Sequence, residues 1–233
     1  ASNTVKVSGG MLTSDVYGGY AAGGTAASGG TAASNTVSLS GGTVSGSVYG
    51  GYASHDASDN TVNLAGASVL GSVYGGYALH SLTTGNIINW TSGNISGTLY
   101  GGNETDYTGN TLNVYSAGLS AGNIAKFQYL NFYLPAAITA NTNVVSLTTT
   151  GTTDLSGTTV AVYLKGDTNL TSGDTVNLLH ETSGGTLTAA ANTSVSAFEG
   201  ISLTHGGSVA VSGSNLVLTI NDAGSGSGSG GSL

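Results

Sequence analysis

The chain has 233 residues, with 40 Gly, one Pro, no Cys and 6% charged residues, far below the roughly 25% of ordinary soluble domains. Its 11 acidic residues stand against three Lys and no Arg, which disfavours nucleic acid and anionic membranes as partners because both are bound through Lys and Arg. The lack of Cys excludes disulfide scaffolds and thiolate zinc sites, and no apolar run reaches the ~20 residues of a membrane helix.

An internal repeat occupies the first half of the chain. Each unit opens with Asn and continues through one or two Gly. The first three end on Val-Tyr-Gly-Gly-Tyr-Ala, at 16–21, 48–53 and 73–78, the fourth has an altered form at 99–103, and the fifth lacks this element. The opening residues, spaced by 32, 25, 26 and 24 positions, are Asn3, Asn35, Asn60, Asn86 and Asn110. An insertion from Ala22 to Ser34 explains the long first interval. The period is therefore close to 25 residues.

Each unit has the pattern of short β-strands separated by glycine turns. Apolar residues alternate, as in Val37-x-Leu39 and Val62-x-Leu64, and this period of two is typical of strands. The Gly-Gly pairs supply the positive-φ backbone that tight corners need.

A single unit cannot fold alone. Five buried apolar side chains contribute roughly 1.5–3 kcal/mol each, whereas ordering about 25 residues costs roughly 1–2 kcal/mol per residue. Stacking resolves the deficit, because each strand then bonds to strands about 4.8 Å above and below it. The sequence predicts an all-β solenoid, a parallel β-helix with coils of about 25 residues, and a propeller with ~40–45 residues per blade fits the period badly.

Stacking also predicts ladders of identical side chains. We expect one tyrosine column of Tyr17, Tyr49, Tyr74 and Tyr100, and a second of Tyr20, Tyr52 and Tyr77. The five opening asparagines, Asn35, Asn60 and Asn86 among them, should form a polar ladder at a corner, each amide bonding the next. Trp90 stands where other units have Leu39 and Leu64, and we expect it in the core.

The composition changes after the repeats. We predict a repeat solenoid over 1–118, an aromatic junction over 119–135 that contains Phe127, Phe132 and the single Pro135, a C-terminal module of short strands over 136–222, and a flexible Gly/Ser linker over 223–233.

The second half resembles the passenger domains of Gram-negative bacterial autotransporters. The similarity lies in Thr153-Asp154-Leu155-Ser156-Gly157 and in the run from Leu170 to Leu179, which resemble the segment just before the barrel, and also in residues 131–135 and the Val-Tyr-Gly-Gly-Tyr-Ala repeats. The resemblance implies a right-handed β-helix, secreted to the cell surface and anchored in the outer membrane through the protein's own C-terminal β-barrel. It further implies that residues 136–222 cap the stack and fold first, and that this segment does not insert into the membrane.

No catalytic motif is recognisable. Gly166-Asp167-Thr168 and Gly173-Asp174-Thr175 lack the Gly-Asp-Ser-Gly string of passenger proteases, and both are typical of turns before strands. The carboxylates are sparse, and the His residues lack metal-ligand spacing. We predict no catalytic residue, no cofactor and no metal.

One group of loop residues is a candidate binding patch. Loops that follow successive Gly-Gly-Tyr elements should emerge on the same edge of the stack, and they carry His55, Asp56, Asp59, His80, Glu104, Asp106 and Tyr107. This edge is either a carbohydrate, metal or receptor patch or simply a solvated surface.

The leading functional hypothesis is a non-enzymatic adhesin passenger that binds a protein or glycan on host or bacterial surfaces, or another copy of itself. The main alternative is a structural stalk that presents a distal domain. A glycan-active enzyme is the third and weakest reading.

Overall fold

The computed structural model describes residues 2–24, 29–103, 107–165, 168–199, 202–203 and 205–222. These residues form strands joined by turns and bends, without a helix. The strands of the first half are β1 (Thr4–Val7), β2 (Met11–Leu12), β3 (Val16–Ala21), β4 (Ala32–Ala33), β5 (Thr36–Leu39), β6 (Thr43–Val44), β7 (Val48–Ala53), β8 (Ala57–Ser58), β9 (Thr61–Ala65), β10 (Ser68–Val69), β11 (Val73–Ala78), β12 (Thr83–Thr84), β13 (Ile87–Ser92), β14 (Thr98–Tyr100), β15 (Tyr107–Thr108) and β16 (Thr111–Val114). Those of the second half are β17 (Leu119–Ala121), β18 (Asn123–Ala125), β19 (Tyr129–Leu134), β20 (Asn143–Leu147), β21 (Thr152–Thr153), β22 (Thr159–Lys165), β23 (Thr175–Glu181), β24 (Thr186–Leu187), β25 (Asn192–Glu199), β26 (Ser202–Leu203), β27 (His205–Ser212) and β28 (Asn215–Asp222).

Strands that follow one another in the chain lie in different sheets, and each sheet collects one strand from each successive unit. We name the sheets A to F. In spatial order, sheet A is β1-β5-β9-β13-β16-β19-β22-β25-β26, sheet B is β2-β6-β10, sheet C is β3-β7-β11-β14-β18, sheet D is β4-β8-β12-β15, sheet E is β17-β20-β23-β28-β27 and sheet F is β21-β24. Pairing is parallel except where β26, β27 and β28 take part. The predicted all-β, parallel stack is confirmed.

Equivalent residues of the repeats pair directly. Val48 pairs with Val73 and Tyr49 with Tyr74 in sheet C, and Val37 pairs with Val62 in sheet A. The register holds because a slip of one residue would turn every inward side chain outward.

The core runs along the inside of the stack as one continuous cluster from Val16 to Ile220. In β5 the burial alternates, with Val37 and Leu39 inside and Thr36 and Ser38 outside. Trp90, predicted as core, is fully buried in the column where Leu64 and Val114 are its paired neighbours. A second, small cluster of alanines lies beside sheets C and D.

Sheet A passes without interruption through the predicted boundaries at 118/119 and 135/136, since β16 pairs with β19 and β19 with β22. The domain boundaries stay predictions. The last 11 residues, predicted as linker, lie outside the described part of the chain.

Strand direction reverses at the C-terminal end of the stack. β28 pairs antiparallel with β23 and then with β27, forming a hairpin at the edge of sheet E. Its turn contains Gly213 with a φ of 58°, a conformation that glycine adopts readily. Among the described residues, no helix is long and apolar enough to cross a membrane.

Candidate functional site

Seven tyrosines cover the outer side of sheet C and form what we call the tyrosine array. The first column is Tyr17, Tyr49, Tyr74 and Tyr100, whose successive ring centroids are 4.9, 4.9 and 4.8 Å apart with interplanar angles of at most 7°. The second column, Tyr20, Tyr52 and Tyr77, has spacings of 5.2 and 5.0 Å. Both columns repeat at the spacing of the strands that hold them.

The two columns also contact each other. Within one strand the rings meet edge to face, as Tyr49 and Tyr52 do at 5.4 Å and 87°. Edge-to-face contacts also join neighbouring strands, as between Tyr49 and Tyr77 at 5.7 Å. The ring faces are therefore largely occupied by other rings, and the array presents ring edges and hydroxyl groups to solvent.

Four hydroxyls of the array, those of Tyr17, Tyr49, Tyr52 and Tyr74, remain protonated at ordinary pH. Burial raises the pKa of Tyr74 to about 12. Burial, together with the hydrogen bond to Asp15, does the same for Tyr17, whose hydroxyl donates to Asp15 Oδ2 at 3.0 Å. Burial also raises the pKa of Tyr49 and Tyr52. Each of these hydroxyls can both donate and accept a hydrogen bond.

The predicted asparagine ladder lies behind the array, at the buried corner of the stack. Asn35, Asn60, Asn86 and Asn110 are all at most 1% exposed. In each step the Nδ2 of one residue donates to Oδ1 of the next, at 2.8 Å from Asn35 to Asn60 and 3.0 Å from Asn60 to Asn86. The same Oδ1 accepts the backbone N–H of the preceding ladder residue. These side chains hold successive coils together and are inaccessible to a ligand.

The predicted loop edge is used partly for structure. His55 Nδ1 lies 3.0 Å from Asp56 Oδ2, and Asp56 Oδ1 accepts the backbone N–H of Leu82 from the next coil at 3.2 Å. A hydrogen bond from Ser81, with those from His55 and Leu82, lowers the pKa of Asp56. Asp59 adopts a left-handed φ of 54° at the turn into the ladder.

The other members of the loop edge are more dispersed. His80 is exposed, and Tyr107 begins β15 with Lys126 Nζ 4.8 Å from its ring centroid, a cation–π distance. Glu104 and Asp106 lie outside the described residues. The parallel pairing of β8, β12 and β15 in sheet D does bring the loops before β8 and β12 to one edge, next to the ends of β7 and β11.

Three further features were not predicted. A second amide ladder runs along the outside of sheet A through Ser38, Asn63, Asn89, Asn113 and Asn131. Its Nδ2 groups donate toward the N-terminal coil, opposite to the buried ladder. A third tyrosine column, Tyr115, Tyr133 and Tyr163, stacks at 4.8 Å. The third feature is a buried carboxyl group, that of Glu181.

The described residues contain no group of three or more His, Asp or Glu that could hold a metal ion. Comparison of the chain with protein-family models, with curated proteins and with solved structures finds no match. The tyrosine array with its neighbouring loops is therefore the candidate site on geometric grounds alone.

Proposed function

We propose that this chain is a non-enzymatic passenger segment of a bacterial surface adhesin, which attaches to a protein or glycan on host or bacterial cells or to another copy of itself. In the full-length protein its own C-terminal β-barrel would anchor it in the outer membrane, as the sequence resemblance implies. We further propose that the coils wind as a right-handed β-helix of about 25 residues per turn. Ladder partners 25, 26 and 24 residues apart support the coil length, and parallel connections are right-handed in about 98% of cases.

The observation that carries the proposal is the tyrosine array. It extends over four strands of one sheet, and its rings pack mainly on one another, with Asp15 bonded to Tyr17 at one end. Tyrosine is among the residue types that dominate binding interfaces, because its ring is large and rigid and its hydroxyl can hydrogen-bond. A partner would bind through apolar contact and hydrogen bonds to hydroxyls. Attachment should accordingly change little with ionic strength.

Binding assays with paired tyrosine variants test the proposal. The fragment would be presented to host cells, other bacteria, matrix proteins and a glycan panel. Tyr52→Ser together with Tyr77→Ser removes most of the second column, and attachment should fall at least about tenfold if two interface tyrosines are lost. The matched control is Tyr115→Ser together with Tyr163→Ser. This pair removes two of the three tyrosines of the third column, which lies on another sheet, and should leave attachment unchanged.

A structural stalk is the second candidate. It is favoured by polar side chains whose hydrogen bonds are made within the stack and are not available to a partner. The buried asparagines bond to each other and to backbone, and Asp56 joins adjacent coils. On a stalk, both pairs of tyrosine variants would leave attachment of the intact surface protein unchanged. Failure of the wild-type fragment to bind any surface would likewise count against adhesion.

A further inference from the structure

Glu181 is a carboxyl group in an otherwise apolar position of the stack. It is the last residue of β23 and is paired with Leu147 of β20, which in turn pairs with Ala121 of β17. Its side chain is only 6% exposed. Burying a carboxylate without a compensating partner is costly, so the groups around it decide which protonation state is stable.

The nearest polar group, the Thr153 hydroxyl, cannot donate to both of its neighbouring acceptors while Glu181 is a carboxylate. Thr153 Oγ1 lies 3.0 Å from Glu181 Oε1 and is also within hydrogen-bonding distance of Asn123 Oδ1. Asn123 Oδ1 accepts the backbone N–H of Ile124 at 2.7 Å, which fixes this atom as the acceptor of the amide. Thr153 has one proton for these two acceptors, and the shorter contact is the one to Asn123, at 2.5 Å. We take the proton to lie on that contact. A hydrogen bond between Thr153 and Glu181 then requires a proton on Glu181.

The second carboxyl oxygen leads to the same conclusion. Glu181 Oε2 is buried and has no hydrogen-bond partner among the residues that the structure describes. A Cβ placed on Gly185 would lie 2.7 Å from the carbonyl oxygen of Gly151, with Oε2 also in close contact, so the space around Oε2 is lined by backbone and by another acceptor. An unpartnered carbonyl oxygen of a neutral acid costs less than an unpartnered carboxylate oxygen.

We propose that Glu181 is a protonated acid that donates to Thr153 and acts as a pH-sensitive latch on the corner formed by β20, β21, β23 and β24. When the proton is lost, a negative charge faces the acceptors Oγ1 of Thr153 and the carbonyl of Gly151, and the corner opens to admit water. This inference does not depend on the proposed adhesive function.

Few charged groups face the latch. His180 precedes Glu181 on β23 and bonds Asn215 Oδ1 of β28 at 2.7 Å, and its influence favours the ionised form. Asp154 follows Thr153 but bonds outward to Ser156 and Thr188. In their described residues, β20, β21 and β24 contribute no charged side chain.

The direction of the pH dependence follows from the burial. Burial, the largest cause, raises the pKa of Glu181 above its ordinary value. The unfolded chain, whose Glu has the lower pKa, loses its proton first as the pH rises. The stabilising contribution is therefore complete below the unfolded pKa and is lost as the pH rises through the folded pKa.

The test compares stability at about pH 3.5, below the unfolded pKa, and at about pH 8 in wild type, Glu181→Gln and Glu181→Leu. For each unit by which folding raises the pKa, the wild-type folding constant should fall about tenfold over this range relative to either variant. Glu181→Gln keeps a donor toward Thr153 and Glu181→Leu continues the column of Leu147, so at least one should fold. Asp154→Asn is the control. Hydrogen bonds lower the pKa of Asp154, so replacing its carboxylate should leave the loss of folding stability at rising pH unchanged.

A direct titration makes the proposal independent of variant stability. The chain contains three glutamates, Glu104, Glu181 and Glu199, so a side-chain ¹³C label gives a spectrum that Glu181→Gln assigns. We expect the Glu181 carboxyl signal to titrate above the ordinary value of Glu. A signal that titrates at the ordinary value would overturn the proposal. So would a wild-type pH dependence of stability equal to that of both variants, or stabilisation of the wild type alone by added Na⁺, K⁺ or Ca²⁺ at about pH 8.

Discussion

Asn60 is the residue at which the stacking argument is best tested. Its Oδ1 accepts the backbone N–H and the Nδ2 of Asn35 at 3.0 and 2.8 Å. Its Nδ2 donates to the carbonyl of Ala32 at 2.9 Å and to Asn86 Oδ1 at 3.0 Å. The side chain is fully buried, so no water can replace these bonds while the coil remains closed.

The substitution Asn60→Ala should be strongly destabilising. Four hydrogen bonds at about 1 kcal/mol each give a loss of about 4 kcal/mol, and the buried N–H groups of Asn35 left without an acceptor add to it. Asn63→Ala, in the strand β9 that begins directly after Asn60, is the matched control. Asn63 makes side-chain bonds to Ser38 at 3.2 Å and to Asn89 at 2.9 Å, but it is only partly buried and water can take their place. We expect a loss of about 1 kcal/mol.

Urea unfolding followed by far-ultraviolet circular dichroism measures both variants. Because repeat stacks can unfold in parts, the slope of the transition should be compared as well as the midpoint, and amide exchange should locate the opening around β5, β9 and β13. Equal losses for Asn60→Ala and Asn63→Ala would refute the reasoning, since they would mean that burial of the ladder adds nothing to its bonds.

Two further predictions concern the same region. Since folding raises the pKa of Tyr17 and Tyr74 from 10.0 to about 12, the unfolded chain ionises first, and stability should fall as the pH rises from about 10 to about 12. Tyrosinate absorbance should show this, and simple titration at about 10 without loss of structure would contradict it. Gly76→Ala should destabilise by more than about 1 kcal/mol in urea unfolding, because its Cβ would lie 2.6 Å from Asn86 Nδ2 and 2.8 Å from the carbonyl of Ala57. Gly157→Ala, with open space around the added Cβ, is its control.

The sequence was sufficient to predict the structural features at positions where consecutive units have the same or a similar residue. Asn60 and Asn86 bond in register because the same residue occurs at the same position of consecutive units. Trp90 could be placed in the core because the equivalent positions of other units hold Leu39 and Leu64. In both cases stacking alone determines the environment of the side chain.

Structural features whose residue types or spacing vary between units were not predicted. The outer amide ladder begins with Ser38 instead of Asn. Its members are also unevenly spaced, because Asn113 lies 24 residues after Asn89 whereas Asn131 lies 18 residues after Asn113. No fixed period therefore reveals it. The tyrosines at 115, 133 and 163 are separated even less regularly. The C-terminal hairpin had a recognisable signal in Ser212-Gly213-Ser214-Asn215 between alternating apolar residues, but the expectation of further parallel coils concealed it.

The candidate site was predictable in position but not in the role of its residues. The repeat places the loops after β7 and β11 on one edge. Whether Asp56 faces a partner or the next coil depends on the backbone path of a neighbouring loop, and the structure shows it bonded to Leu82. The burial of Glu181 could not be predicted from the sequence. A single Glu after Val-Asn-Leu-Leu-His has the pattern of a strand that ends at the surface.

The two amide ladders carry dipoles that point in opposite directions. In the buried ladder the Nδ2 of each asparagine from Asn3 to Asn86 donates to the asparagine of the next, C-terminal coil, and the last member, Asn110, donates back to the carbonyl of Thr83. In the outer ladder every Nδ2 donates toward the N-terminal coil. An α-helix accumulates a macrodipole because its peptide units all point one way. Here each added coil adds one amide dipole to each ladder, and the two oppose each other. Such a stack can be lengthened coil by coil without building up side-chain amide polarity at its ends.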